Sequence, residues 1–385
     1  MTPGARLAAA IDILDRVLAG ANAEQALTNW GRASRFAGSG DRLAVRDVVY
    51  DSLRCLRSCA GLGGGMTGRG VVLGLLRAQG IDPATLFTGD GHAPAPLTEA
   101  EFAPPAPLAD LAALDCPDWL APALRASLGA DFTAVMQALR VRAKVFVRVN
   151  TLKSTPGDAI ASLAADGITA CAHGLSTTAL EVTVNARKLS ASAAFLSGAV
   201  EVQDAASQAV VDALPLRDGM RVLDYCAGGG GKTLAMAARA RLKLTAHDID
   251  PRRMGDLPAR AARSGVRVTL SQTSDLPRNF DLVLADAPCS GSGSWRRAPQ
   301  SKWTLTPDRL EDLTRMQDQV LDAAATLVAP GGWLAYATCS LLDVENADRV
   351  SAFSARQSGF GPPQSLRFLP TMGGDGFFLA LMQRK

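Results

Sequence analysis

With 385 residues, 48% of them hydrophobic and 20% charged, the chain predicts two or three globular domains and excludes a disordered or fibrous protein. No apolar stretch approaches the length of a membrane span, and a net charge of +3 is too small to identify a partner. Seven scattered cysteines without a secretory leader predict reduced thiols and a cytoplasmic location. Cys55 and Cys59 have no second Cys/His pair nearby, so we expect no zinc site.

Residues 1–88 predict a small helical domain. Apolar residues at helical spacing over 7–18 indicate a first helix that ends near Gly20, and a second helix is expected around 41–57. This region contains ten arginines, seven acids and no lysine. Six of the arginines fall within 26 residues: Arg32, Arg35, Arg42, Arg46, Arg54 and Arg57. Because guanidinium groups pair well with phosphate, the cluster is either an RNA-binding surface or an ordinary solvated helix face.

Residues 89–115 form a Pro/Ala-rich linker with little capacity to pack. A small α+β subdomain is expected at 116–200. Its β-α-β-β pattern consists of a strand at 145–149, a helix at 157–165 and two strands near 170–173 and 180–184.

From residue 201 to 385, strands alternate with helices, which predicts an α/β domain with a parallel sheet. A buried strand at 222–224 runs into a glycine-rich loop and then a helix from Leu234. The loop residues that we expect to hold a ligand are Cys226, Ala227, Gly228, Gly229, Gly230, Gly231 and Lys232. A P-loop is excluded because its first glycine is replaced by Cys226, and a dinucleotide motif is excluded by Thr233.

Acidic residues follow the next strands of this domain. Asp248 comes after a second strand at 242–246, Asp275 after a third at 266–270, and Asp286 ends a fourth at 282–286. A carboxylate at the end of the second strand can accept hydrogen bonds from both ribose hydroxyls of an adenosine ligand. Each acid alone suggests a helix cap or a loop, but their repetition after a glycine loop predicts S-adenosylmethionine (SAM) as the cofactor.

Two cysteines follow neighbouring strands. Cys289 lies in a loop of small residues after the fourth strand, and Cys339 follows a fifth strand at 333–338. If the two strands pair in parallel, their ends lie about 5 Å apart, and both thiols flank one pocket. Arg296, Arg297 and Lys302 follow the first loop and would supply positive potential or phosphate contacts there, or form a solvated basic loop.

Several motifs resemble the bacterial Sun/RsmB and eukaryotic NOP-type RNA cytosine-5 methyltransferases. They are DAPCSGSG (286–293), ATCS (337–340), CAGGGGKT (226–233), RVNTLK (148–153) and DGFF (375–378). The segments GSGDR (38–42) and VVYDSLR (48–54) also resemble a NusB-like RNA-binding domain. The resemblance implies a Rossmann-like class I SAM-dependent methyltransferase domain. It departs from the family in the loop, where the usual Ala-Pro-Gly is Ala-Gly-Gly-Gly, and at Asp275, about one residue from the expected adenine-side acid.

By this resemblance, Cys339 is the nucleophile that adds to cytosine C6, and Cys289 assists release. Asp286 would bond to the base edge, and Lys232 would help to position the base or the acid. The expected product is 5-methylcytosine in structured RNA, with 16S rRNA as the substrate of a monomeric enzyme that uses neither DNA nor a membrane. Two alternatives stay open from sequence: the same chemistry on tRNA, and a non-catalytic RNA-binding assembly factor with the same fold.

Overall fold

A computed structural model describes residues 1–385. The chain groups into two compact units. The first contains Met1–Arg142 and Trp295–Thr304, and the second contains Ala143–Ser294 and Leu305–Lys385. The boundaries expected from sequence at residues 88, 115 and 200 stay predictions, because grouping by compactness does not separate functional segments.

The chain contains seventeen α-helices and eleven strands. The helices are α1 Pro3–Leu18, α2 Ala23–Ala33, α3 Ser39–Arg54, α4 Leu56–Gly63, α5 Gly68–Ala78, α6 Glu99–Phe102, α7 Asp110–Ala113, α8 Ala121–Leu128, α9 Phe132–Leu139, α10 Pro156–Ala165, α11 Ala193–Leu196, α12 Ala205–Asp212, α13 Gly231–Arg239, α14 Leu257–Ser264, α15 Pro299–Thr304, α16 Pro307–Ala325 and α17 Ala347–Arg356. The strands are β1 Val145–Val149, β2 Thr169–Ala172, β3 Ala179–Val184, β4 Val200–Val202, β5 Arg221–Asp224, β6 Lys243–Ala246, β7 Thr269–Leu270, β8 Phe280–Asp286, β9 Val328–Thr338, β10 Gln364–Phe368 and β11 Phe377–Gln383.

In the first unit, α1 to α5 share one apolar core that includes the buried side chains of Leu14, Val49 and Val71. The first predicted helix is present as α1. The second is α3, which ends at Arg54 rather than residue 57, because the backbone at Cys55 (φ −114°, ψ 35°) leaves the helical conformation before α4 begins. Helix α2 has no counterpart in the sequence prediction, since alanines provide much of its buried face and give a weak apolar pattern. No single helix is long and apolar enough to cross a membrane; α4 and α5 pass only as a pair, bent by 93°.

Hydrogen bonds from one arginine anchor the Pro/Ala-rich segment to α5. Arg69 of α5 donates to the Glu101 carboxylate at 2.7 Å and to the carbonyls of Ala95 and Pro96. These bonds hold the segment against α5. Most residues of the segment are nevertheless exposed, so a few arginine hydrogen bonds rather than an apolar core hold it in place, and its assignment as a linker stays a prediction.

Residues Trp295–Thr304 belong to the first unit, although they follow Cys289 in the chain. The Trp303 indole N–H donates to the Leu53 carbonyl at 2.7 Å, and Arg54 donates to the Arg296 carbonyl at 2.7 Å. The first bond satisfies a carbonyl at the end of α3, where the helix itself provides no donor, and the second satisfies a carbonyl of the 295–304 segment. The N-terminal helices therefore hold a segment that lies between two strands of the second unit in sequence.

The second unit begins with a small antiparallel sheet in the order β2-β3-β1-β4. Helix α10 covers it, with Ala159 and Leu163 in the shared core. The predicted β-α-β-β unit is present, and β4 adds a fourth strand that is only three residues long. So short a strand has no detectable alternation in sequence.

The large sheet of the second unit has the order β10-β11-β9-β8-β5-β6-β7. Five consecutive strands of this sheet are parallel: β9, β8, β5, β6 and β7. This arrangement confirms the Rossmann-like α/β fold and brings the carboxyl ends of the five strands to one edge of the sheet. The third predicted strand is reduced to the two residues of β7, and the fifth begins at Val328 rather than at residue 333. The antiparallel strands β10 and β11 were not predicted.

Candidate active site

Cys289 and Cys339 meet at the carboxyl ends of β8 and β9, with their Sγ atoms 3.4 Å apart. The strands pair in parallel with Asp286 opposite Ala337, as the sequence predicts. Beyond the strands, the Gly293 N–H donates to the Cys339 carbonyl at 2.9 Å, so the two loops stay paired past the sheet. Both cysteines are half-buried. They can therefore face the same bound molecule.

The two thiols have opposite pKa shifts. The hydrogen bond donated by Cys289 lowers the pKa of Cys339 below its usual value, and the nearby Lys232 ammonium acts in the same direction, although burial opposes it. The same hydrogen bond, together with burial, raises the pKa of Cys289 well above its usual value. A thiolate is the reactive form of cysteine. The opposite shifts therefore favour Cys339 as the thiol of the pair that ionises first.

Lys232 and Asp286 form an ion pair beside the thiols. Lys232 Nζ lies 2.7 Å from Asp286 Oδ2 and 4.7 Å from the centre of the Phe377 ring. Burial lowers the pKa of Lys232, but the charge and hydrogen bond of Asp286 outweigh it, and the net pKa is raised. Lys232 is therefore a fixed positive charge at the start of α13, where the helix dipole adds to its field.

The glycine loop has the backbone that its sequence predicts. Gly228 and Gly230 have φ values of 50° and 78°, and a Cβ at Gly230 would lie 2.2 Å from Leu257. Helix α13 begins at Gly231 rather than Leu234, so Lys232 belongs to its first turn. Burial raises the pKa of the Cys226 thiol, which keeps it protonated and unreactive.

Asp248 is buried at the end of the second parallel strand and holds the glycine loop. Its Oδ2 accepts the Gly228 N–H at 2.9 Å, its Oδ1 accepts the Asp250 N–H at 3.0 Å, and Arg253 lies 3.1 Å from Oδ2. A carboxylate has about four acceptor positions, so further bonds to a ligand are compatible with these. By contrast, Asp275 is exposed and accepts from Ser274 Oγ at 3.0 Å, and no hydrogen bond joins it to the other predicted site residues.

Asp224 is a further candidate site residue, and it was not expected from the sequence. It ends β5, is fully buried, and accepts a 2.6 Å hydrogen bond from Thr233 Oγ1 through Oδ2, whereas its Oδ1 has no partner. Burial raises its pKa to about 7, and the charges of Asp286 and Asp248 act in the same direction. Its position at a strand end, like that of the other acids, was the available signal.

Lys302 does not contribute as predicted. Its side chain is buried in the first unit, Nζ donates to the Arg54 carbonyl at 3.1 Å, and burial lowers its pKa to about 8. Arg296 is buried too, whereas Arg297 is exposed. The predicted phosphate contact from Lys302 is therefore wrong, because the ammonium group is used to satisfy the end of α3.

Within the arginine cluster, only part of the charge is available to a partner. Arg46 pairs with Glu24 at 3.3 Å, Arg54 with Asp51 at 2.5 Å, and Arg57 with Asp118 at 2.7 Å. In contrast, Arg32 and Arg35, at and beyond the end of α2, are exposed next to Phe36, which is 77% exposed.

Comparison with known proteins identifies the family. Residues 211–383 match the family described as 16S rRNA methyltransferase RsmB/F, and residues 116–190 match the ferredoxin-like domain of RsmF/B-like methyltransferases. The chain belongs to the RsmB/F family. This is a SAM-dependent methyltransferase family, in agreement with the predicted resemblance and cofactor.

Two relatives are ribosomal RNA small subunit methyltransferases B. The protein from Sodalis glossinidius is 34% identical over 72% of this chain and 69% of its own length. The protein from Xanthomonas campestris is 34% identical over 69% of this chain, which spans 66% of that relative's length. A methyltransferase homologue from Pyrococcus horikoshii, of known structure, is 25% identical with a TM-score of 0.62, covering 71% of this chain and 97% of its own.

Proposed function

We propose that this RsmB/F family member is a SAM-dependent methyltransferase that forms 5-methylcytosine in 16S rRNA through a covalent adduct between Cys339 and cytosine C6. The observation that carries the proposal is the 3.4 Å separation of the Cys289 and Cys339 Sγ atoms at the edge of the sheet where α/β enzymes bind ligands. Two thiols with opposite pKa shifts suit a reaction that needs one nucleophile and one proton acceptor.

The residues present fit SAM. The left-handed glycines at 228 and 230 keep the loop free of side chains, and Asp248 beside them would accept the ribose hydroxyls. The unpartnered buried Oδ1 of Asp224 is an acceptor suited to a cationic ligand such as an amino acid ammonium group. When bound, SAM supplies an electrophilic methyl group.

Cys339 would begin the reaction by forming a bond from its thiolate sulfur to C6 of cytosine. The electron pair of the C5–C6 double bond then moves towards C5 and N3, which makes C5 nucleophilic. Asp286 would face N3 and the exocyclic amine, where charge changes during this addition. Lys232, 2.7 Å from Asp286, holds that carboxylate in place and lowers the pKa of Cys339.

Cys289 would complete the reaction by removing the proton from methylated C5. The electron pair of the C–H bond re-forms the C5–C6 double bond, and the sulfur–C6 bond breaks to release the Cys339 thiolate. Once Cys339 is bonded to C6, it no longer accepts the Cys289 hydrogen bond, which is the main cause of the raised Cys289 pKa. Cys289 can then lose its own proton to solvent and act as the base.

The RNA substrate is proposed from the relatives, which are named for the small ribosomal subunit, and from the exposed arginines at 32 and 35. Bisulfite sequencing of total RNA from strains with and without the gene tests it. A gene carrying Cys339→Ala serves as the control. We expect one 16S rRNA cytosine to resist conversion only when the wild-type gene is present. A gene-dependent tRNA site would contradict the substrate, and no gene-dependent site would contradict the activity and favour an assembly factor.

A further inference from the structure

A fully buried carboxylate, Glu345, lies between the loops that carry the two cysteines. It follows β9 by seven residues and accepts hydrogen bonds from four donors, none of which is a cation: the Ser290 N–H, the Ser290 and Ser340 hydroxyls, and the Gln317 amide. Burying a carboxylate without a counter-charge is unfavourable unless its hydrogen bonds are complete. The four hydrogen bonds therefore have to stay in place for Glu345 to remain buried, which ties the groups that donate them to one another.

The donors to Glu345 lie directly after the two cysteines. Ser290 follows Cys289 and donates its N–H to Oε1 at 2.8 Å and its hydroxyl to Oε2 at 2.5 Å. Ser340 follows Cys339 and donates its hydroxyl to the same Oε2. A single carboxylate oxygen therefore joins the two loops one residue beyond each thiol.

Further hydrogen bonds fix the carboxylate and both loops. Gln317 of α16 donates to Glu345 Oε1 at 3.0 Å and to the Pro288 carbonyl, just before Cys289, at 2.9 Å. Asn346, adjacent to Glu345, donates to the Ser340 carbonyl at 2.9 Å. Gln317 and Asn346 thus connect Glu345 to both cysteine loops, so a displacement of Glu345 would displace the loops as well.

We propose that Glu345 is a positioning residue that holds the Cys289 and Cys339 loops together and keeps the two thiols in contact. The contribution to catalysis rests on the proposed function, but the geometric claim does not. The charge of Glu345 also contributes to the raised pKa of Cys289, which favours Cys339 over Cys289 as the nucleophile.

The geometry can be measured without SAM or RNA, through the rate at which diamide joins the thiols. In this reaction two thiols lose one hydrogen atom each, diamide gains both, and a disulfide forms that mass spectrometry detects between the two peptides. We expect Glu345→Ala to slow Cys289–Cys339 disulfide formation by about tenfold or more, since small displacements have large effects on reactions between held groups. Glu345→Gln should react close to the wild-type rate, because its carbonyl oxygen can still accept from Ser290 and the hydroxyls can rotate to accept from its amide.

Tyr336→Phe is the matched control. Its hydroxyl donates to the backbone carbonyl of Glu345 at 2.6 Å, so the variant loses a buried hydrogen bond at the same residue without touching the carboxylate. It should react at the wild-type rate. If Glu345→Ala does not fold, as judged by circular dichroism, Ser290→Ala/Ser340→Ala removes the same bridge and should show the same slowing.

A wild-type rate in the bridge variants would overturn the proposal, and so would equal slowing in Tyr336→Phe or in Glu345→Gln. Methylation assays on Glu345→Ala and on Ser290→Ala/Ser340→Ala should show a fall in kcat with an unchanged KM for SAM. If the disulfide rates agree but the wild-type protein methylates no RNA, the proposed function fails and the positioning claim stands.

Discussion

Replacing Asp248 tests how the cofactor loop is held. In the structure this buried carboxylate accepts two backbone N–H groups, at 2.9 Å from Gly228 and 3.0 Å from Asp250, and pairs with Arg253 at 3.1 Å. Arg253 is more than half exposed, so its contribution is below about 1 kcal/mol. Hydrogen bonds to a charged group contribute about 1.5–3 kcal/mol each. Loss of two proposed ribose bonds and of the loop contact in Asp248→Ala should therefore weaken SAM binding by at least about 3 kcal/mol, or more than about a hundredfold in Kd.

Isothermal titration calorimetry with SAM measures this change directly. Asp248→Asn keeps one carbonyl acceptor and should lose about half as much binding free energy as Asp248→Ala. Asp250→Ala is a suitable control, because its half-buried carboxylate binds Arg252 rather than the loop. If Asp248→Ala binds SAM as tightly as the wild type, then Asp248 neither contacts the ribose nor organises the loop for binding, and the proposed cofactor site is wrong.

Three further predictions follow from the site and the arginine cluster. Cys339→Ala should abolish methyl transfer while leaving the Kd for SAM unchanged, and turnover within about tenfold of wild type would contradict its role as nucleophile. Because burial raises the pKa of Asp224 to about 7, protonation below that pH removes its charge, and the SAM affinity of the wild type should fall as the pH is lowered towards about 6. The affinity of Asp224→Asn should not change over this pH range, and a flat wild-type profile would refute the prediction. Arg32→Ala/Arg35→Ala should lower the slope of log K for RNA against log salt by about 1.5 to 2, and an unchanged slope would exclude phosphate contacts there.

The parallel sheet and the meeting of Cys289 and Cys339 were predictable from sequence. Strand polarity brings every carboxyl end to one edge, so a residue's distance from the end of its strand is enough to place it. The glycine loop was also predictable, from its run of four glycines. The structure shows why Gly230 has no side chain: its backbone is left-handed, and a Cβ there would collide with Leu257. These features depend on local pattern and on a general rule for parallel sheets.

Features that depend on long-range partners were not predictable. Lys302 was expected at the surface, since nothing adjacent to it in sequence indicates that it satisfies the carbonyl of Arg54. Glu345 gave no signal, because its donors come from two loops whose serines are 50 residues apart. The strands β10 and β11 were missed because their pairing is long-range: β11 pairs with β9, and β10 pairs with β11.

In the proposed two-thiol mechanism, Cys339 adds to the base and Cys289 is needed for release. Cys289→Ala should still attack C6 and transfer the methyl group but fail to eliminate, so the enzyme should remain covalently bound to its methylated RNA. Incubation with substrate RNA and SAM, followed by a denaturing gel, should show a slower band that is absent in Cys289→Ala/Cys339→Ala. Trapping by Cys339→Ala instead would reverse the two roles, and no trapping by either single variant would contradict the two-thiol mechanism.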